Sequence, residues 1–284
     1  NAPLEKLLAK MVPLMRLPRL IQKGHLTALA VTASSYSSGE HVTFYESAQA
    51  VQPWVRSQRK AARDRITHEH LLASSAIPFV FPAKGITIDG HTEYFGDGSM
   101  RQSAPIAAAI HLGAERVLVI GAGRMHEPRG DSAAPPSPSY PSLAQIAGHA
   151  LSNIFLDALS VDVERVQRIN QTLSLIPEEK RTHSALRPVE LLVIAPSQRL
   201  DAIAARHVGD LPGPVRTMLG ALGVTSNMAD VRGAALASYL LFEQGYTQEL
   251  MALGRADTLA RRADVCRFFG WKDTGAALRT RLPT

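Results

Sequence analysis

Ile86-Thr87-Ile88, Asp89-Gly90 and Thr92-Glu93-Tyr94-Phe95, followed at once by Gly96-Asp97-Gly98-Ser99, decide how this chain is read. β-formers flank an Asp-Gly pair, the pattern of a tight hairpin, because aspartate tolerates and glycine freely adopts the positive φ that such a turn demands. Asp97 therefore stands immediately beyond the second strand, between two glycines. Toward the amino end, Thr67-His68-Glu69-His70-Leu71-Leu72-Ala73-Ser74-Ser75-Ala76 predicts a helix stopped by Pro78, and the basic, helix-favouring residues from Arg56 to Arg65 lead into it. Further back, residues 26–33 form an apolar run suited to a buried strand, Ser37-Ser38-Gly39 a turn, and His41-Val42-Thr43-Phe44-Tyr45 the returning strand. Pro3 to Leu8 has helical spacing, broken by Pro13 and Pro18 before a second turn at Leu20-Ile21.

Toward the carboxyl end, a helix is expected after Pro105, ending near Gly113. It feeds Arg116-Val117-Leu118-Val119-Ile120-Gly121, a near-continuous apolar run of the kind found in parallel sheets. Glu127 to Pro141 is rich in Pro, Ser, Gly and Ala and reads as a loop. Leu151, Phe155, Leu159, Val166, Ile169 and Leu173 recur at three- and four-residue steps, predicting a long amphipathic helix from Ser142 to Leu175. Val189 to Ile194 supplies a further strand, and the segments Ala234–Phe242, Tyr246–Leu253 and Thr258–Phe269 read as helical. Strands separated by helices imply an α/β fold with a largely parallel sheet. The segments expected are 1–126, a loop at 127–141, and a mostly helical extension at 142–284 that contributes one strand.

The composition, 45% hydrophobic and 20% charged, is that of a globular protein and excludes disordered and fibrous classes. The formal charge of +6 favours anionic surfaces. The basic residues are scattered without interleaved aromatics or a binding motif, so nucleic acid is not expected as a partner. A single cysteine, Cys266, excludes a disulfide framework and a multi-cysteine metal site, and reads as a small buried residue. His68-Glu69-His70 lacks the H-E-x-x-H zinc spacing and is expected on a helix surface. Gly121-Ala122-Gly123 fails as a dinucleotide fingerprint, because His126 stands where the third glycine belongs and a proline-rich loop replaces the helix.

The order of Leu72 to Pro82, a short hairpin, Tyr94-Phe95-Gly96-Asp97-Gly98-Ser99, Ala104-Pro105 and Leu112-Gly113-Ala114 before an apolar strand resembles the patatin-like phospholipase family. Pro3-Leu4, Gly24 to Ala33 and Gly39 are similar to the stretch that follows the nucleophile helix in bacterial members, so the resemblance covers about residues 1 to 125. It implies a three-layer patatin-like fold with a largely parallel central sheet, here without its amino-terminal strands, and a helix-rich carboxyl-terminal extension. It also implies a serine–aspartate pair acting on lipid esters, with Asp97 as the aspartate, Asp97-Gly98-Ser99 as its motif, and water as acyl acceptor. Ser99 departs from the Asp-Gly-Gly or Asp-Gly-Ala that is usual there.

Within that pair, the aspartate must reach the serine hydroxyl and accept its proton, and burial would raise its pKa toward working pH. Gly96 and Gly98 are expected to let the backbone turn sharply. No G-x-S-x-G and no glycine-rich oxyanion run occurs in the sequence, so the chain is expected to be a carboxyl-terminal piece that is inactive by itself and aggregates when expressed alone. Ser74 and Ser75 are expected at a helix end or pocket wall, with Ser99 pointing away from Asp97. The alternative function is a non-catalytic lipid- or partner-binding module, and a third is a hydrolase using Ser74 or Ser99. The implied partner is a lipid or phospholipid substrate, with a cytoplasmic or peripheral-membrane location. No metal or organic cofactor is implied, and the oligomeric state is left open.

Overall fold

The computed structural model describes residues 2–78, 80–102, 104–123, 143–181, 184, 186–221 and 237–273. They divide into two compact units, Asn1–Glu115 with Asp157–Val166, and Arg116–Leu156 with Gln167–Thr284. Both mix helix and strand, so the chain is of the α/β class.

The first unit begins with α1 (Ala2–Met11) and α2 (Leu17–Gln22). Pro18 lies within the first turn of α2, where its missing N–H has no partner to lose, so it starts this helix rather than breaking it. Then follow β1 (Ala28–Ser35), β2 (His41–Ser47), β3 (Val55–Arg56), β4 (Arg59–Arg63), α3 (His68–Ser74), β5 (Lys84–Ile88), β6 (His91–Asp97) and α4 (Ala107–His111). The six strands form one sheet in the order β3-β4-β2-β1-β6-β5.

Every pairing in that sheet is antiparallel except β2 with β4. This corrects the expectation of a largely parallel sheet. The connections decide it: Asp89-Gly90, at φ 50° and 82°, joins β5 to β6 as a two-residue hairpin, and parallel neighbours need a crossover of about a dozen residues or more.

The segment from Arg56 to Arg65 is also corrected from helix-favouring to strand. β4 pairs along β2 from His41↔Arg59 to Tyr45↔Arg63, and Lys60 reaches Glu40 at 3.1 Å and Glu93 at 3.5 Å. Tertiary pairing overrides an intrinsic preference worth only a few tenths of a kcal/mol per residue, roughly.

One face of the sheet carries Val31, Ala33, Val42, Phe44 and Phe95, all buried with α3 residue Ala73 and with Leu17 and Ile21 of α2. Thr67 caps α3 in a reciprocal box, its N–H donating to His70 Nδ1 at 3.1 Å. His70 is therefore not on the helix surface as expected. It is 4% exposed and meets the Phe44 ring edge-on at 4.5 Å, a position the alternation of β2 does not reveal.

The second unit contains β7 (Arg116–Ile120), most of the helix α5 (Leu143–Ser174), α6 (Glu178–Arg181), β8 (Glu190–Ile194), α7 (Leu200–His207), α8 (Gly213–Ala221), α9 (Gln244–Ala260) and α10 (Arg262–Phe269). β7 and β8 pair in parallel, as their apolar runs suggest. The Asn170 amide clamps the entry to β8, donating to the Val189 carbonyl at 2.7 Å and accepting its N–H at 3.0 Å. The core packs Ile203, Ala204, Leu219, Leu241, Tyr246 and Leu253. The 127–141 loop and residues 234–236 of the expected helix lie outside the described residues, and the helix expected over Thr258–Phe269 breaks at Arg261. Cys266 in α10 is half-buried.

His207 ties α7 to α9, with Nδ1 facing Asp210 and Nε2 facing Glu249, each at 2.8 Å. Hydrogen bonds to those carboxylates raise its pKa against a smaller opposing effect of burial. Stability from a raised histidine pKa is fully present below the ordinary value of 6.5 and is lost as pH rises through the folded value. His207→Gln should therefore cost about 1 kcal/mol near pH 6, a surface-pair magnitude because Asp210 and Glu249 are partly exposed, and measurably less at about pH 9. Urea unfolding at the two pH values checks this.

Candidate active site

Asp97 is the last residue of β6 and is 8% exposed. Two neighbours hold its backbone. It pairs with Ala33 of β1, and its N–H donates to the Ala76 carbonyl at 3.0 Å, so the segment just after α3 is laid against the strand end. Its side chain caps the 3-10 turn Gly98–Arg101, Oδ1 accepting the Ser99 N–H at 2.8 Å. The Ser99 side chain also helps to hold the Asp97 pKa down. Burial raises the Asp97 pKa, and the Ser99 contacts offset part of the rise.

The flanking glycines are present for close approach rather than for a sharp turn, since neither has positive φ. A Cβ on Gly98 would stand 2.2 Å from the Thr32 carbonyl oxygen, and one on Gly96 would stand 2.4 Å from the Tyr36 hydroxyl. The strand end is thus pressed onto the β1 backbone, with a tyrosine ring over it. The Tyr36 hydroxyl reaches Met100 Sδ at 3.6 Å, and its pKa is raised by burial and then by the Asp97 charge.

On the sheet face opposite the apolar core, Arg59, His41, Ser34 and Gly96 stand in register across β4, β2, β1 and β6. Arg59 Nε, His41 Nε2 and Ser34 Oγ are buried without a hydrogen-bond partner among the described residues. Burial lowers the His41 pKa to about 4, opposed by a backbone hydrogen bond with Gly98 and assisted by the Arg59 charge. The imidazole is therefore neutral at physiological pH beside the Asp97 turn. Asp162, on the part of α5 belonging to this unit, is also buried and accepts the Ile106 N–H at 3.0 Å. Removing an unsatisfied hydroxyl leaves no donor stranded, so Ser34→Ala should leave stability unchanged or raise it by up to about 1 kcal/mol in chemical unfolding.

The remaining candidates are dispersed. Ser74 ends α3, and the Ser75 hydroxyl is spent on the Leu71 carbonyl at 2.9 Å, which fits a helix end better than a nucleophile. His68 Nε2 meets the Val12 carbonyl at 2.8 Å. Among the described residues, no three His, Cys, Asp or Glu side chains gather as a metal group. Tyr36 and His41 are missed by local reading: each sits beside a strand turn, and only the pairing of β1 with β6 and β2 brings them to Asp97. No helix among the described residues is long and apolar enough to cross a membrane. Compared with known proteins, the chain matches no family model and no curated sequence.

Proposed function

We propose that Asp97 is the general base of a serine–aspartate pair in a patatin-like lipid acyl hydrolase. The observation that carries this reading is a carboxylate buried at a strand end, raised in pKa, and packed so closely that the residue after it has no room for a side chain. In the reaction, Asp97 accepts the serine proton as the hydroxyl attacks the ester carbonyl, and the proton passes to the departing alcohol. Water then attacks the acyl-serine with Asp97 again as base, releasing the fatty acid. The raised pKa makes Asp97 a stronger base than an exposed aspartate. The nucleophile in this reading is a serine on a glycine-flanked turn that lies outside this sequence.

A second reading draws on Ser99, whose backbone N–H already donates to Asp97 Oδ1 at 2.8 Å and whose side chain lowers the Asp97 pKa: Ser99 itself is the nucleophile. Labelling with a fluorophosphonate separates the two. The leading reading expects no label on the present chain, and a label on a longer protein that carries a Gly-x-Ser-x-Gly turn. Label on the present chain that disappears in Ser99→Ala would establish the second. Esterase activity that survives Asp97→Asn near the wild-type rate would sink both.

A further inference from the structure

A cavity of about 900 Å³ in the first unit lies between α2 and the adjoining ends of β2 and β4. It is at the far end of the sheet from Asp97: Ser47, in its wall, pairs with Ala28, and Asp97 pairs with Ala33, five residues or about 17 Å along β1. Four cations line it, Arg19 and Lys23 from the α2 side and Arg63 and Arg65 from the β4 side, all exposed. Among the described residues none of the four forms an ion pair: Arg63 donates to the Ser47 carbonyl at 3.3 Å and Arg65 to Met15 Sδ at 3.6 Å.

The two carboxylates in the same wall are already engaged. Glu46 accepts the Ile66 N–H at 3.1 Å, while Asp64 accepts the Arg65 N–H at 2.7 Å and faces His70 at 3.6 Å. Those neutral N–H donors leave both carboxylates charged, so four cations against two carboxylates give the groove wall a net positive charge toward an external anion. Beside them the chain exposes large apolar side chains in a short span. Met15, in the groove wall, is 77% exposed, and Met11 and Leu20 are also exposed on either side of it.

We infer that this groove and its methionine-bearing flank form a docking surface for an anionic phospholipid bilayer, headgroup phosphates between Arg19, Lys23, Arg63 and Arg65 and Met15 against the acyl boundary. Basic groups paired with exposed apolar ones suit a lipid–water interface, where cations are drawn to anionic headgroups and apolar side chains to the acyl boundary. Nucleic acid is the weaker match, because no aromatic side chain lines the groove to stack on a base. The inference rests on the lipid reading for its partner class, but it concerns binding alone and does not pass through Asp97.

The test is flotation of the full chain in a density gradient with vesicles of phosphatidylcholine mixed with phosphatidylglycerol, against vesicles of phosphatidylcholine alone, since aggregated protein does not float. Binding should be at least about tenfold tighter to the anionic vesicles and should weaken as salt is raised. Arg19→Glu with Arg65→Glu should abolish that preference, as should the independent variant Lys23→Glu in part. These side chains are exposed, so circular dichroism should show the fold intact. Met15→Asp should weaken vesicle binding while the charge preference persists. Equal binding to both vesicle types, or no loss in the charge-reversed variants, overturns the inference. So does retention of full binding in Met15→Asp together with displacement by glycerol phosphate, which would mark a soluble phosphate site, or tighter binding of a single-stranded oligonucleotide than of vesicles. Asp97→Asn should bind vesicles like the wild type, so failure of the hydrolase reading and failure of the docking surface are separately visible.

Discussion

Gly98→Ala should destabilise the first unit by about 3 kcal/mol or more, the upper part of the range for overpacking. The reason is what the new methyl group would meet. Its Cβ would lie 2.2 Å from the Thr32 carbonyl oxygen and 2.7 Å from the Thr32 carbonyl carbon, both backbone atoms of the central strand β1. Backbone in a paired strand cannot give way alone, because β1 is bonded to β2 on one side and to β6 on the other. Relief would require pulling β6 from β1 at the Ala33↔Asp97 pair, which would also move the carboxylate.

Gly96→Ala is the control. The three atoms nearest its added methyl all belong to Tyr36, which is 49% exposed and can swing away. Replacing glycine also narrows the unfolded ensemble, which offsets part of the cost, so a loss of about 1 kcal/mol or less is expected. Urea denaturation of the two variants should therefore separate them clearly. Similar losses would mean that the Gly98 turn can move off β1, and that its contact with Thr32 does not hold Asp97 in place.

The second large effect is on chemistry. In the protein that carries the serine, Asp97→Asn should lower ester hydrolysis by about 10²- to 10⁴-fold, the usual contribution of a positioned general base. The same change should not reduce stability. Burial raises the Asp97 pKa above 3.8, so the ionised carboxylate weakens the fold at neutral pH. That penalty fades as pH falls through the folded pKa and is gone below the unfolded one. An asparagine keeps an oxygen to accept the Ser99 N–H and carries no charge. Asp97→Asn should therefore equal or exceed the wild type in stability at pH 7, with the difference closing toward pH 3.8. Chemical unfolding across that range, beside a kcat measurement, distinguishes a destabilised functional group from a structural one. A marked loss of stability on substitution would assign Asp97 to the fold instead.

Local reading succeeds where the physical cause is local. The Asp89-Gly90 hairpin follows from which residues tolerate positive φ. The helix at His68–Ser74 is set by the Thr67 cap, and the β7–β8 pair by unbroken apolar runs. Asp97 at a strand end is legible for the same reason. Its roles for Gly96 and Gly98 are not: spacing suggests a sharp turn, whereas the contacts show two close approaches, to Tyr36 and to Thr32, from more than fifty residues away. Basic residues at Arg59–Arg63 prefer helix in isolation and become strand because β2 and the two glutamates that meet Lys60 are there to receive them.

The α/β class, most element positions and the placing of Asp97 after a hairpin strand follow from local residue order, since propensity, turn chemistry and side-chain period act over a few neighbouring residues. Long-range pairing and packing are needed to learn that the main sheet is mostly antiparallel, that Asp97 is buried against Ala76 and β1, that Arg59, His41 and Ser34 share one row, and that Arg19 and Arg65 line one groove. Those facts depend on which distant segments pair and with what register, and a shift of one residue would turn Arg59, His41 or Ser34 to the other face of the sheet.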